Sequence, residues 1–179
     1  VIMSVIFWNL LNISKNTYKD FFFKKKSNYY FYFLILLIFL QIIMGAFVSG
    51  LDAGKIYQTW PLMDGTYFPS DGYFPNDVII LKVKDLFNFN DHSLVQFYHR
   101  NIAYIISIYI IISGIIIYKK NIRKLFKAFY IVSIILILQI FLGIFTLLSG
   151  LNIFLASAHQ ITSLLLVLSV INLHYNSIK

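Results

Sequence analysis

The stretch YYFYFLILLIFLQIIMGAFVSG, Tyr29 to Gly50, carries no charged side chain. It matches the ~20 apolar residues an α-helix needs to cross a hydrocarbon core. Three further stretches have similar length and character: Ser93 to Tyr118, Ala128 to Leu148, and Ile153 to Tyr175. Their β-branched and aromatic content would favour strands in water. In lipid, however, an isolated segment must satisfy its own backbone hydrogen bonds, so helix is the default. A closed barrel needs alternating polarity, which none of the four shows. The expected fold is all-α and integral to the membrane, a four-helix transmembrane bundle built from two helical hairpins.

The 179 residues are 59% hydrophobic and 12% charged, with a mean hydropathy of +0.77. No soluble fold of this size has enough interior to hide that apolar surface. Cysteine is absent, which excludes disulfides, cysteine-based zinc sites, iron–sulfur clusters and thiolate nucleophiles. Glutamate is absent too, and all seven acids are Asp. The net charge of +8 does not point to nucleic acid, because the basic residues cluster beside apolar segments, where they set topology. The opening VIMSVIFWNLLNI lacks the charged start and small-residue cleavage site of a signal peptide. It reads as the end of an earlier membrane helix, and the chain as part of a longer protein.

Lys15, Lys19, Lys24, Lys25 and Lys26 precede the first span, and Lys119, Lys120, Arg123, Lys124 and Lys127 lie between the second and third. By the positive-inside rule, residues 14–28 and 119–127 are cytoplasmic. The segment 51–92, which holds six of the seven acids, is then external. The second and fourth spans both run from outside to inside. His99 and His159 each lie about 9 Å below the outer end of their spans, at 1.5 Å rise per residue. Ionisable residues inside a membrane are costly and mark functional sites. An internal repeat supports this registry: QIIMGAF at Gln41 to Phe47 recurs as QIFLGIF at Gln139 to Phe145, and each copy is followed by a histidine-bearing span.

Two imidazoles at one depth on different helices suit axial ligation of a haem iron, provided that small residues let the macrocycle lie between helices. Ala103 follows His99 by about one turn, Ala156 and Ser163 share a face with His159, and Gly45 and Gly143 each follow a glutamine by four residues. Those glycines are candidates to admit a porphyrin edge, although small residues also favour plain helix packing. Zinc is the competing metal, but it needs a third donor at that level. His92 is about 10 Å from His99, and His174 is roughly 22 Å from His159. His174 reads as an interfacial histidine. Arg100 is a candidate either to pair with haem propionates or to snorkel toward headgroups. Gln160 carries the same ambiguity.

The external segment reads GLDAGKIYQTWPLMDGTYFP from Gly50 to Pro69. With FYHR at Phe97 to Arg100, QIFLGIFTLL at Gln139 to Leu148 and LASAHQ at Leu155 to Gln160, the chain closely resembles the haem A synthases of alphaproteobacterial and mitochondrial type. The resemblance covers Tyr29 to Tyr175 and corresponds to the carboxy-terminal half of the family. It departs at Gln58, where the family pattern leads one to expect Asn.

The resemblance implies one half of a pseudo-symmetric eight-helix oxidoreductase of the cytoplasmic (inner) membrane. Such an enzyme converts a methyl group of haem O to the formyl of haem A by way of a hydroxymethyl intermediate. It implies a haem b cofactor with His99 and His159 as the iron's axial ligands and Arg100 as a candidate cofactor contact. Catalytic residues are expected in the amino-terminal half, so this chain alone is expected to be inactive. Implied partners are the substrate haem O, the lipid bilayer, the amino-terminal half, and haem O synthase or oxidase assembly factors. Residues 1–28 read as the end of a preceding helix with a basic linker, 29–175 as the haem-binding bundle, and 176–179 as a cytoplasmic tail. Glycines 50, 54 and 65, with Pro61, suit a tightly turned lid, and Trp60 and Tyr57 suit a membrane interface. The alternatives are a non-enzymatic haem b electron-transfer subunit, which needs no such loop, and a transporter or structural bundle.

Overall fold

A computed structural model describes residues 1–22, 26–69 and 88–178. Much of the expected external segment, residues 70–87, lies outside them, as do the side chains of Lys24, Lys25 and Lys26. Among the described residues the structure is helical: α1 (Ile2–Ser14), α2 (Lys26–Gly50), α3 (His92–Lys119), α4 (Arg123–Leu148) and α5 (Ile153–Ser177), with a 3-10 turn at Ala53–Lys55. The last four helices are long and apolar enough to cross a bilayer. The architecture is consistent with the expected four-helix membrane bundle.

Helix ends follow local chemistry. Asp91 caps α3, its Oδ1 accepting from the Leu94 amide at 2.8 Å, and Asn152 caps α5 through Phe154 N at 3.0 Å. Both satisfy amides that the first turn leaves unpaired. At the other end of α3, Asn121 takes φ +50° and Ile122 N reaches back to Ile117 O at 3.1 Å. Gly150 at φ +68° closes α4 in the same way, with Leu151 N on Thr146 O at 2.9 Å. The turn between α3 and α4 is shorter than the basic run suggested, because Arg123 to Lys127 already form the first turn of α4. Lys and Arg are good helix formers, and nothing there breaks the helix.

The chain divides into two compact units. The first comprises Val1–Phe39, Ile105–Gln139 and Gln160–Lys179. Within it Tyr30 and Tyr109 stack at 4.6 Å between ring centres. Tyr109 Oη donates to Tyr30 O at 2.8 Å, and the Tyr30 hydroxyl pairs with Ser113 Oγ at 2.7 Å. A Cβ on Gly114 would sit 2.6 Å from Phe129 Cζ, so α3 and α4 approach closely there. The carboxyl end of α5 is capped by lysines: Lys19 Nζ donates to Tyr175 O at 3.2 Å and Ile178 O at 2.7 Å, and Lys124 Nζ donates to Ser177 O at 3.3 Å. Cations suit this end of a helix, where carbonyls lack partners. Burial, with Lys124 and Lys15 nearby, holds the Lys19 ammonium below the usual lysine range.

The second unit comprises Leu40–Tyr104 and Ile140–His159. Helices α2 and α4 end in it and α3 and α5 begin in it, so both QxxxG repeats contribute their glycines here, and both His99 and His159 fall here.

Candidate functional site

His99 and His159 occupy matching turns of α3 and α5. They stand seven and six residues beyond the first helical residues His92 and Ile153, or about 10.5 and 9 Å along the axes. Each imidazole rests on a glycine of the preceding helix. A Cβ on Gly45 would lie 3.2 Å from Cε1 and 3.7 Å from Nδ1 of His99. A Cβ on Gly143 would lie 2.9 Å from Cε1, 3.4 Å from Nδ1 and 3.6 Å from Nε2 of His159. The same ring edge meets the same kind of seat in both hairpins. The two glycines therefore hold the imidazoles themselves, and the space expected for a porphyrin edge at these Cα atoms is filled by the rings. The reason is geometric: a residue without Cβ lets an aromatic ring contact the helix backbone.

The side chain one turn before each seat is a glutamine in both copies. The Gln41 amide nitrogen lies 3.2 Å from Nδ1 and 3.3 Å from Nε2 of His99. Its Oε1 is buried without a hydrogen-bond partner. Gln139 accepts a hydrogen bond from the Thr162 hydroxyl through Oε1. A glutamine contact to a histidine was not foreseen from the sequence. The available signal was the position three residues after each histidine, which is Ile102 in one copy and Thr162 in the other.

Arg100 is engaged with the loop that follows α2. Its Nη2 donates to Tyr57 O at 3.1 Å and its Nη1 lies 3.4 Å from Leu62 O. Gln96, one turn earlier, donates Nε2 to the same Tyr57 carbonyl at 2.8 Å. The guanidinium is thus held by backbone carbonyls of that loop. Tyr57 is buried rather than interfacial, whereas Trp60 stays exposed. Further along, Asp64 and Gly65 take φ +49° and +86°, and Met63 and Thr66 exchange backbone hydrogen bonds at 2.7 and 3.2 Å. This is the primed turn that an Asp-Gly pair favours. The Tyr67 hydroxyl donates to Asn101 Oδ1, and Tyr67 and Phe68 pack on Phe97 at 5.8 and 5.5 Å. Gly54 approaches Leu151 so closely that a Cβ would stand 2.9 Å from its Cδ2. The loop is thereby strapped along the first turns of α3, beside His99.

The remaining candidates fall elsewhere. Ala103 and Ala156 are half-buried on their helices, Ser163 donates Oγ to Gln160 O at 2.6 Å, and Gln160 is exposed. His92 is exposed at the first turn of α3. His174 is fully buried in the first unit, stacked on Trp8 at 5.6 Å and edge-on to Phe21 and Tyr32 at 5.1 and 4.7 Å. Its Nε2 pairs with Phe21 O at 3.2 Å. Expected at an interface, it is enclosed because Trp8 of α1, Phe21 and Tyr32 pack around it. Among the described residues no three His, Asp or Glu side chains gather as a metal-binding group.

The family model described as "Cytochrome oxidase assembly protein", COX15-CtaA, matches residues 1–171. A Heme A synthase of Pelagibacter ubique (strain HTCC1062) is 41% identical over 176 residues, covering 98% of this chain and 49% of that protein. A Heme A synthase of Rickettsia bellii (strain OSU 85-389) is 40% identical over 146 residues, covering 79% and 40% respectively. That of Wolbachia pipientis wMel is 42% identical over 129 residues, covering 72% and 33%. No solved structure matches the chain. The chain spans about half the length of the curated relatives it matches. Together with the four apolar helices, these relatives make it a multi-pass membrane protein. It belongs to the COX15-CtaA family of cytochrome oxidase assembly proteins.

Proposed function

We propose that this chain is the haem b-holding half of a haem A synthase, the oxidoreductase of haem biosynthesis that converts a methyl group of haem O to a formyl group. The observation that carries the proposal is the duplicated seat, in which an imidazole lies against a helix glycine at matching turns of α3 and α5. Two imidazoles, each with one edge fixed against backbone and each on its own helix, are the donor set of a bis-histidine haem site. The residues present fit the group, and the ligands assigned are His99 and His159. When bound, the haem supplies a one-electron redox centre.

The chain's own residues do the rest. Gly45 and Gly143 set how far the rings project from α2 and α4. Gln96 and Arg100 tie the loop of residues 51–69 to α3 beside His99. Arg100 remains a candidate contact for a propionate at the edge of its present hydrogen bonds.

The remaining assignments extend the same reading. Catalytic residues belong to a further half, corresponding to the part of the relatives this chain does not cover, and the chain alone is inactive. Its partners are haem O, the lipid bilayer, that further half, and haem O synthase or oxidase assembly factors. The protein sits in the inner membrane with 51–92 external and with 14–28 and 119–127 cytoplasmic. Lys15 supports the last point, since it donates to Asn176 at 3.0 Å. Lys19 and Lys124 also reach the carboxyl end of α5, as segments on one side of a membrane must.

The test is complementation. The intact gene, expressed in a host that makes haem O but lacks haem A, should restore formyl haem in extracts resolved by chromatography and mass, and His99→Ala should abolish it. A folded intact protein that binds haem b yet yields neither formyl nor hydroxymethyl haem would leave a non-enzymatic electron-transfer subunit as the reading.

A further inference from the structure

From Ile56 to Pro69 the loop after α2 holds a single charged side chain, Asp64. Its large side chains are turned outward: Trp60, Leu62, Tyr67 and Phe68 are 42–49% exposed. They flank the tight turn closed by Met63 and Thr66, while Met63 itself is buried. The tip of the loop thus presents an aromatic and aliphatic surface. Exposed apolar groups gathered at one place mark a surface that meets something other than water.

The tip does not stand above the helix ends. Tyr67 Oη donates to Asn101 Oδ1, Leu62 O lies 3.4 Å from Arg100 Nη1, and the Tyr67 and Phe68 rings pack on Phe97 at 5.8 and 5.5 Å. Since α3 begins at His92, these partners lie about 7.5–13.5 Å along it, at 1.5 Å rise per residue. Helix α3 has 28 residues, or about 42 Å, more than the ~30 Å of a hydrocarbon core. Lys119 and Lys120 keep its far end among headgroups. Counted back from Tyr118, the ~20 residues that cross the core begin at His99. The tip is therefore level with the boundary between headgroups and acyl chains.

Below Asn101 the same face of α3 continues as Ile105, Ile108, Ile112 and Ile115, spaced by three and four residues and each 45–58% exposed. The tip rests at the head of this outward apolar stripe of a membrane-crossing helix. Its composition suits that level, because Trp and Tyr combine an apolar ring with a polar atom and favour the membrane boundary. Asp64, at the turn, limits how deep the tip can sink.

We propose that Trp60, Leu62, Tyr67 and Phe68 seat the tip of this loop in the boundary layer of the adjoining leaflet, with phospholipid as its partner. The loop is then held from two sides, by Arg100 and Asn101 of α3 and by lipid. This anchoring is independent of what the histidines bind.

The experiment uses the full-length gene product in phosphatidylcholine nanodiscs. Subtracting the tryptophan emission of Trp60→Phe from that of the parent isolates Trp60. Phosphatidylcholine brominated high on its acyl chains should quench most of this emission, while bromine near the chain ends and acrylamide in the water should quench little. Photoreactive benzoylphenylalanine introduced at Leu62 or Phe68 should form adducts with the mass of one phospholipid. The same probe at Ile105 is the lipid-facing control, and at Lys55, which pairs with Asp52 at 2.8 Å on the exposed start of the loop, it should capture no lipid. The photoreactive probes serve as the independent test if Trp60→Phe misfolds. Quenching of Trp60 by acrylamide and by neither bromolipid overturns the proposal, and stronger quenching by the chain-end bromines overturns the boundary level. Adducts of Leu62 and Phe68 with a peptide of the further half, or of a second copy, in place of lipid overturn it as well.

Discussion

Adding a single methyl group at Gly143 tests the seat of His159 directly. A Cβ there stands 2.9 Å from Cε1 and 3.4 Å from Nδ1 of the imidazole. Carbon atoms in contact settle at about 3.5–4.0 Å, so the ring must retreat by roughly 0.6–1 Å. Overpacking of this kind costs about 1–3 kcal/mol, partly offset by the ~1 kcal/mol by which Ala exceeds Gly in a helix. The ring is the part able to move, so the strain falls on ligation rather than on the fold. Gly143→Ala should therefore weaken haem b binding by up to about 30-fold, at 1.4 kcal/mol per decade, while the thermal midpoint of the haem-free protein changes little. At Gly45 the corresponding contact is 3.2 Å, so Gly45→Ala should lose less affinity than Gly143→Ala. Gly114→Ala is the control. It clashes at 2.6 Å with Phe129, away from either histidine, and should lower the thermal midpoint without altering the low-spin spectrum. The assay is a haem b titration followed in the Soret band, paired with thermal unfolding of each variant. Parental affinity and spectrum in Gly143→Ala would show that His159 does not rest on that glycine, and the duplicated seat would fail as evidence for a haem site.

Two further outcomes separate structural from ligating roles. His174→Ala should leave the haem spectrum unchanged but destabilise the protein by about 1–3 kcal/mol, because it opens a buried aromatic cluster and strips a partner from Phe21 O; a lost low-spin signal in a folded variant would reassign this residue. Arg100→Ala should make residues 51–69 cleavable by added protease while haem b affinity stays within about threefold, since the guanidinium is held by Tyr57 O and Leu62 O and exposed contacts of this kind are individually weak. An affinity collapse with the loop still protected would instead give Arg100 to a propionate.

The four spans were legible because lipid leaves an apolar run of that length one backbone solution. Their ends were less so. Asp91 and Asn152 fixed the starts of α3 and α5 by capping, and the basic run after α3 continued into α4 because Lys and Arg do not stop a helix. The positions of His99 and His159 along their helices also followed from counting residues. What each side chain touches did not. Helix α2 is apolar on nearly every face, so its sequence does not announce which face meets α3. The glycine in QIIMGAF reads equally well as room for a neighbouring helix, a porphyrin edge or an imidazole until the rotation of α2 is known. Tyr57 escaped for a similar reason: its role lies in a backbone carbonyl shared by Gln96 and Arg100, and a carbonyl leaves no mark on side-chain patterns.

The repeat carries the argument one step further than either half alone. Two hairpins with the same QxxxG spacing place glycine against imidazole in the same way, so the seat belongs to the repeated unit. The hairpins differ at the position three residues after the histidine: Thr162 donates its hydroxyl to the Oε1 of Gln139, whereas Ile102 has no hydroxyl to donate. A buried amide must satisfy its polar atoms somewhere, and in the first hairpin the ring nitrogens of His99 are within reach. A substitution that left the helices, the glycines and both histidines intact could thus redistribute the polar contacts of the site. Ile102→Thr is such a change. It would give the first hairpin a hydroxyl at the position where the second has Thr162.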